Sequence, residues 1–109
     1  MKDIEQIQKL SVLHCVYQTI ASADGSILEE RDHAAIAFAL SELGLTSDYL
    51  WNSALQMHPN DCFIHVSNLS TDNKQLFRAL LLKVADMGGN QLFRINCANH
   101  IIQLSNCQE

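Results

Sequence analysis

Apolar side chains recur near the start of the chain at Ile4, Ile7, Leu10, Leu13, Val16, Tyr17 and Ile20. Steps of three and four place them on one face of a helix, predicted over about residues 3 to 22. Asp24-Gly25 then supplies a stop and a reversal, because glycine takes positive φ at little steric cost. Glu29, Glu30 and Asp32 favour a new helix start, where aligned peptide dipoles leave positive charge. Residues 33–41, His-Ala-Ala-Ile-Ala-Phe-Ala-Leu-Ser, are apolar on nearly every side. That segment is the expected central, most buried helix. Gly44 after Leu43 suits a helix C-terminal cap, with Leu45 folding back on the helix.

Thr46 or Ser47 can cap a short helix carrying Leu50, Trp51, Ala54 and Leu55. His58-Pro59-Asn60 breaks it, and Asn60 is the expected cap of a further short helix with Cys62, Val66 and Leu69 on one face. Ser70 or Thr71 opens a strong helix with Leu76, Phe77, Leu80, Leu81 and Val84. Gly88-Gly89 ends it. A last helix, over about 91 to 105, offers Ile95, Ala98, Ile101, Ile102 and Leu104 to the core. No stretch sustains period two. The pattern therefore predicts an all-α bundle of about six helices and no sheet.

The layout repeats. Shifted by 64 positions, Ile20 meets Val84, Ala21 meets Ala85, Gly25 meets Gly89, Leu28 meets Leu92 and Ala34 meets Ala98. These are packing and turn positions, so two helix-turn-helix halves are expected. The acidic positions do not carry over: Asp24 meets Gly88, Glu29 meets Phe93 and Glu30 meets Arg94.

Bulk numbers narrow the function classes. A chain of 109 residues fits one domain, spanning 1–109, with a real core. Net charge is -5, and seven basic residues lie scattered, so no stripe tracks a phosphate backbone and nucleic acid is not an expected partner. No run approaches the roughly 20 apolar residues of a membrane span. The N-terminal stretch reads as a helix rather than a targeting segment, because Asp3, Glu5, His14 and Gln18 interrupt it. Cys15, Cys62, Cys97 and Cys107 show no C-x-x-C spacing and read as free thiols of a reducing cytoplasm.

Ala23-Asp24-Gly25 after a helix, Ile27, the charged helix start and the Leu43-Gly44-Leu45 ending resemble the TerB-like domains. So does Leu82-Lys83-Val84-Ala85-Asp86 in the second half. The likeness covers roughly residues 5 to 105. It departs at Leu28, where the family has a small polar residue, at Arg31, where it has Glu, and at the second turn, which lacks Asp-Gly. The resemblance implies a compact helical bundle associated with tellurite resistance, or with the N-terminus of a membrane-anchored co-chaperone. Because its acidic site is only partly kept, tellurite chemistry is not carried over.

Three sets of residues are candidates for chemistry. Asp24 with Glu29 and Glu30 can gather oxygens for a hard cation, although Ser26-Ile27-Leu28 adds almost no ligand and an Asp before Gly is explained by the turn itself. Cys62-x-x-His65 with Cys97-x-x-His100 would make four zinc ligands, yet the spacing matches no known knuckle, and core thiols with surface imidazoles explain it more simply. Leu50, Trp51 and Leu55 are the candidate interface, since a tryptophan can anchor a partner. No nucleophile elbow or glycine-rich phosphate loop occurs. The expected function is a small non-catalytic interaction module, cytoplasmic and without cofactor, and the family resemblance implies a stress-response or chaperone-linked assembly as its setting. It works with a protein partner or as a homodimer through residues 47–57. The alternative is a small metal-binding domain using the acidic turn or the His/Cys set.

Overall fold

Among the described residues six helices follow one another: α1 (Gln6–Ala21), α2 (Glu30–Glu42), α3 (Tyr49–Leu55), α4 (Pro59–Ser67), α5 (Thr71–Met87) and α6 (Gln91–Leu104). The structure is a computed structural model. It describes residues 1, 3–21, 30–45, 49–87 and 91–108, with the side chains of 30, 31, 49, 50 and 91 left aside. Among the described residues there is no strand, so the fold is all-α as the apolar spacing predicts.

The centre of the bundle is α1, which packs against each of the other five helices. Residues 11–16 are buried without a break, joined by Thr19 and Ile20. Polar groups in such a helix need internal partners. The Ser11 hydroxyl donates to the Ile7 carbonyl at 2.7 Å and the Thr19 hydroxyl to the Cys15 carbonyl at 2.9 Å. His14 lies 2.9 Å through Nδ1 from the Ala54 carbonyl of α3. A carbonyl only accepts, so Nδ1 carries the proton, while Nε2 is buried with no partner.

The central place expected for residues 33–41 thus belongs to α1. In α2, Ala35, Ala39 and Leu40 are buried, as is Leu43 just after it, whereas His33, Ala34 and Ala37 face solvent. Burying an alanine methyl gains little, so an alanine-rich segment does not dictate its own inner face. The larger side chains of α1 decide the packing.

The caps come from sequence-local chemistry. Gly44 has φ +70°, its N–H reaches the Ser41 carbonyl, and the Leu45 N–H reaches back to Leu40, which is the predicted cap of α2. α6 ends the same way: Asn106 has φ +57°, bonds to Gln103, and is followed by a Cys107 N–H to Ile102. The Ser70 hydroxyl accepts from the Asn73 N–H and opens α5. At α4 the cap is His58 rather than Asn60. Its Nδ1 accepts from the Asn60 N–H at 3.2 Å, and Pro59 takes the first helical position, where no N–H is missed.

The two ends of the chain share a layout, with α1 against α2, α5 against α6, and cross-packing of α2 on α5 and α1 on α6. The single shift of 64 does not hold throughout. Ile20 and Val84 are both buried, but Ala34 is exposed where Ala98 is buried. For α2 and α6 a shift of 62 aligns the buried positions 32, 39, 40 and 43 with 94, 101, 102 and 105. The connection after α5 is shorter than the one after α1, which accounts for the change. Gly25, Leu28 and Gly89 lie outside the described residues.

That second shift pairs Asp32 with Arg94, and the two meet: Arg94 Nη1 donates to Asp32 Oδ1 at 2.8 Å, with both side chains almost fully buried. This ion pair ties α2 to α6. Arg94 Nε is buried without a partner.

Candidate interaction surface

Large apolar side chains reach solvent on several helices, with Ile7 on α1, Ile64 on α4 and Leu76 and Leu82 on α5, and the two most exposed are on α6. Leu92 is 72% exposed, Phe93 65% and Leu104 50%. Leu104, expected in the core, therefore faces outward, as does Leu76 on α5. The cause is the position of Arg94. Once it turns inward to Asp32, with Ala98, Ile101 and Ile102, the helix has no inward room for positions 92, 93 and 104.

Along α6, residues 93, 97, 100 and 104 fall on one stripe, because steps of four and three nearly close a helical turn. The stripe borders an apolar groove of about 430 Å³. α1 lines it with Tyr17, Gln18 and Ala21, α4 with Pro59 and Phe63, and α6 with Cys97, His100, Ile101 and Leu104. The half-buried Cys97 thiol lies 3.5 Å from the Gln18 carbonyl, which accepts from it. The exposed polar side chains of α6 are Asn96, Asn99, His100 and Gln103, and its outer face carries no Asp, Glu, Lys or Arg among the described side chains.

No family model matches this chain. No curated protein and no solved structure matches it either.

The other candidates are placed as follows. Trp51 is half-buried and meets Tyr17 edge-on at 6.2 Å, and Tyr17 in turn lies 6.1 Å from the His14 ring. Leu55 is half-buried. The side chain of Leu50 lies outside the described residues, as do Asp24, Glu29 and the side chain of Glu30. Cys62 is buried in α4, its thiol 3.9 Å from the Met57 sulfur, and His65 is half-buried in the last turn of the same helix. Cys97 and His100 belong to the α6 groove. Among the described residues no three or more His, Cys, Asp or Glu side chains converge where they would hold a metal ion. No described helix is long and apolar enough to cross a membrane.

Sequence reading missed Phe93, Leu104 and the groove. A signal was available: α6 has a single charge, Arg94, set between Phe93 and Ile95. Neighbouring helical positions point about 100° apart, so Leu92, Phe93, Arg94 and Ile95 cannot all be inside.

The thiols of Cys15, Cys62 and Cys107 are poor nucleophiles for a physical reason. Burial raises Cys15 well above its ordinary 9.0, and the nearby thiols of Cys62, Cys107 and Cys97 push the same way. Burial lifts Cys62 to about 11, against a lowering hydrogen bond from Ser11. Cys107 is raised by burial too, opposed by Ser105, Lys74 and Arg78. The folded state holds these protons more tightly than the unfolded chain does. Stability is therefore complete below pH 9 and falls as pH rises toward the folded values. Cys62 alone is expected to contribute on the order of 1 kcal/mol of that loss between pH 9 and 11, since water partly screens the site. Urea midpoints across that range should drop, and drop less steeply in Cys62→Ala. Equal slopes for the two proteins would show that ionisation of Cys62 is not the cause.

Proposed function

We propose that this protein is a non-catalytic helical interaction module of the TerB-like kind, acting by holding a protein partner or a second copy of itself. The observation that carries the reading is the outer face of α6, where Leu92, Phe93 and Leu104 stand in water and Leu104 lines an apolar groove. Contiguous exposed apolar surface marks an interface more often than chance exposure does. A groove flanked by helices is a mode by which amphipathic segments are bound. The raised thiols at 15, 62 and 107 fit a structural role rather than nucleophilic work. A stress-response or chaperone-linked assembly is the setting that the TerB-like resemblance favours.

A photo-crosslinking amino acid placed at position 93 tests this in the cells that make the protein. The control is the same residue at 37, an exposed alanine of α2. A discrete protein adduct is expected from 93 and not from 37. Equal, diffuse labelling from both positions would sink the interaction reading.

A further inference from the structure

We infer that the α6 face binds a second copy of this chain, with the two α6 helices antiparallel and Phe93 of each copy seated at the groove beside Leu104 of the other. This rests on the interaction reading above and names its partner. Three observations carry it.

The first is self-complementarity on one helix. A two-fold axis demands that the same patch supply both the projecting group and its receptor. α6 does so: Phe93 projects at one end of the stripe, and the groove opens along positions 97 to 104 at the other. In an antiparallel pair centred between residues 98 and 99, 93 faces 104 and 97 faces 100. Phe93 then meets the groove wall formed by Leu104, Ile101 and Phe63. A cavity of roughly 150 Å³ suffices for a benzene ring, so a groove of about 430 Å³ accepts the phenyl group readily.

The second is charge. Each copy carries -5, so two copies repel wherever acidic faces meet. The described outer side chains of α6 are uncharged, whereas exposed Asp72 and Asp86 lie on α5 and exposed Asp61 on α4. α6 is a face on which the described side chains of two copies meet without opposing like charges. A strongly basic partner would gain nothing there.

The third is the polar set between the apolar residues. Asn96 and Gln103 each offer both a donor and an acceptor, and in this register Asn96 of one copy comes beside Gln103 of the other on the same flank, about 3 Å apart along the helix axis. Their amides supply the polar rim that a helix–helix contact needs.

Directed disulfides test the register. Phe93→Cys and Leu104→Cys are made separately in a Cys97→Ser background, then mixed and oxidised. The two positions lie 11 residues apart, about 16 Å along the helix, so in the antiparallel arrangement neither variant can bridge to its own kind. The mixture is expected to give a covalent dimer at least about tenfold more abundant than either variant alone. Sedimentation of the wild-type chain should show a monomer–dimer equilibrium, and Phe93→Glu should weaken it at least about tenfold, since it buries a carboxylate against the apolar groove. Phe93 is largely exposed, so the variant folds, and its unchanged circular dichroism confirms that.

A dimer that forms without the mixed bridge, or that Phe93→Glu leaves intact, overturns the α6 arrangement while the interaction reading stands. A strict monomer at millimolar concentration also overturns it. The cellular adduct at position 93 then still decides the interaction reading, by showing a product of a mass other than twice the chain.

Discussion

Arg94→Leu is expected to destabilise the fold by about 3–5 kcal/mol, because it strands the buried Asp32 carboxylate without its partner. Asp32→Leu should cost a similar amount by leaving the guanidinium alone. The double variant Asp32→Leu/Arg94→Leu is expected to recover most of the loss. Taking two charges out of water is costly, and one 2.8 Å contact repays it incompletely, all the more with Arg94 Nε unpartnered. Urea denaturation of the wild type, both single variants and the double variant closes the cycle. Losses that simply add in the double variant would mean that the two side chains are not energetically coupled.

The same pair shows what a linear reading can and cannot see. Helix spans were legible because α1, α5 and α6 carry apolar residues at steps of three and four. The α2 cap was legible because Leu43-Gly44-Leu45 is a local signal that needs no distant partner. Ser70 as the opener of α5 was legible for the same reason. The contact of Asp32 with Arg94 spans 62 positions, and the charge of Asp32 was explained well enough by the helix start it sits on. A locally sufficient explanation concealed a long-range one.

The candidate surface was less legible than the fold. Periodicity tells which residues share a face but not which face another helix covers. Phe93 and Leu104 were indistinguishable from core residues until Arg94 fixed the rotation of α6. The burial of α1 on all sides was hidden for a related reason. His14, Ser11 and Thr19 look like a polar side, yet the two hydroxyls turn onto carbonyls one turn back, His14 gives Nδ1 to the Ala54 carbonyl, and all three pack inside. Trp51 reads as a partner anchor in isolation, whereas in the fold it leans on Tyr17 and the core.

Two phenylalanines sixteen positions apart should now behave in opposite ways. Phe77 on α5 is fully buried, on a helix that packs against α1, α2 and α6. Phe77→Ala removes most of a ring from a close-packed interior that refills only partly, and it is expected to cost about 3–5 kcal/mol. A domain of this size is held by roughly 5–15 kcal/mol in all, so the variant should unfold at much lower urea and lie close to its limit at 37 °C. Phe93→Ala removes the same atoms from a side chain that is 65% exposed. At concentrations where the chain is monomeric it should move stability by about 0.5 kcal/mol or less. Its effect should instead appear in association, as a weaker dimer in sedimentation. Paired urea curves at micromolar protein and sedimentation at high protein separate the two roles. If Phe93→Ala lowers the dilute urea midpoint as far as Phe77→Ala does, Phe93 holds the fold together and is not available to a second copy.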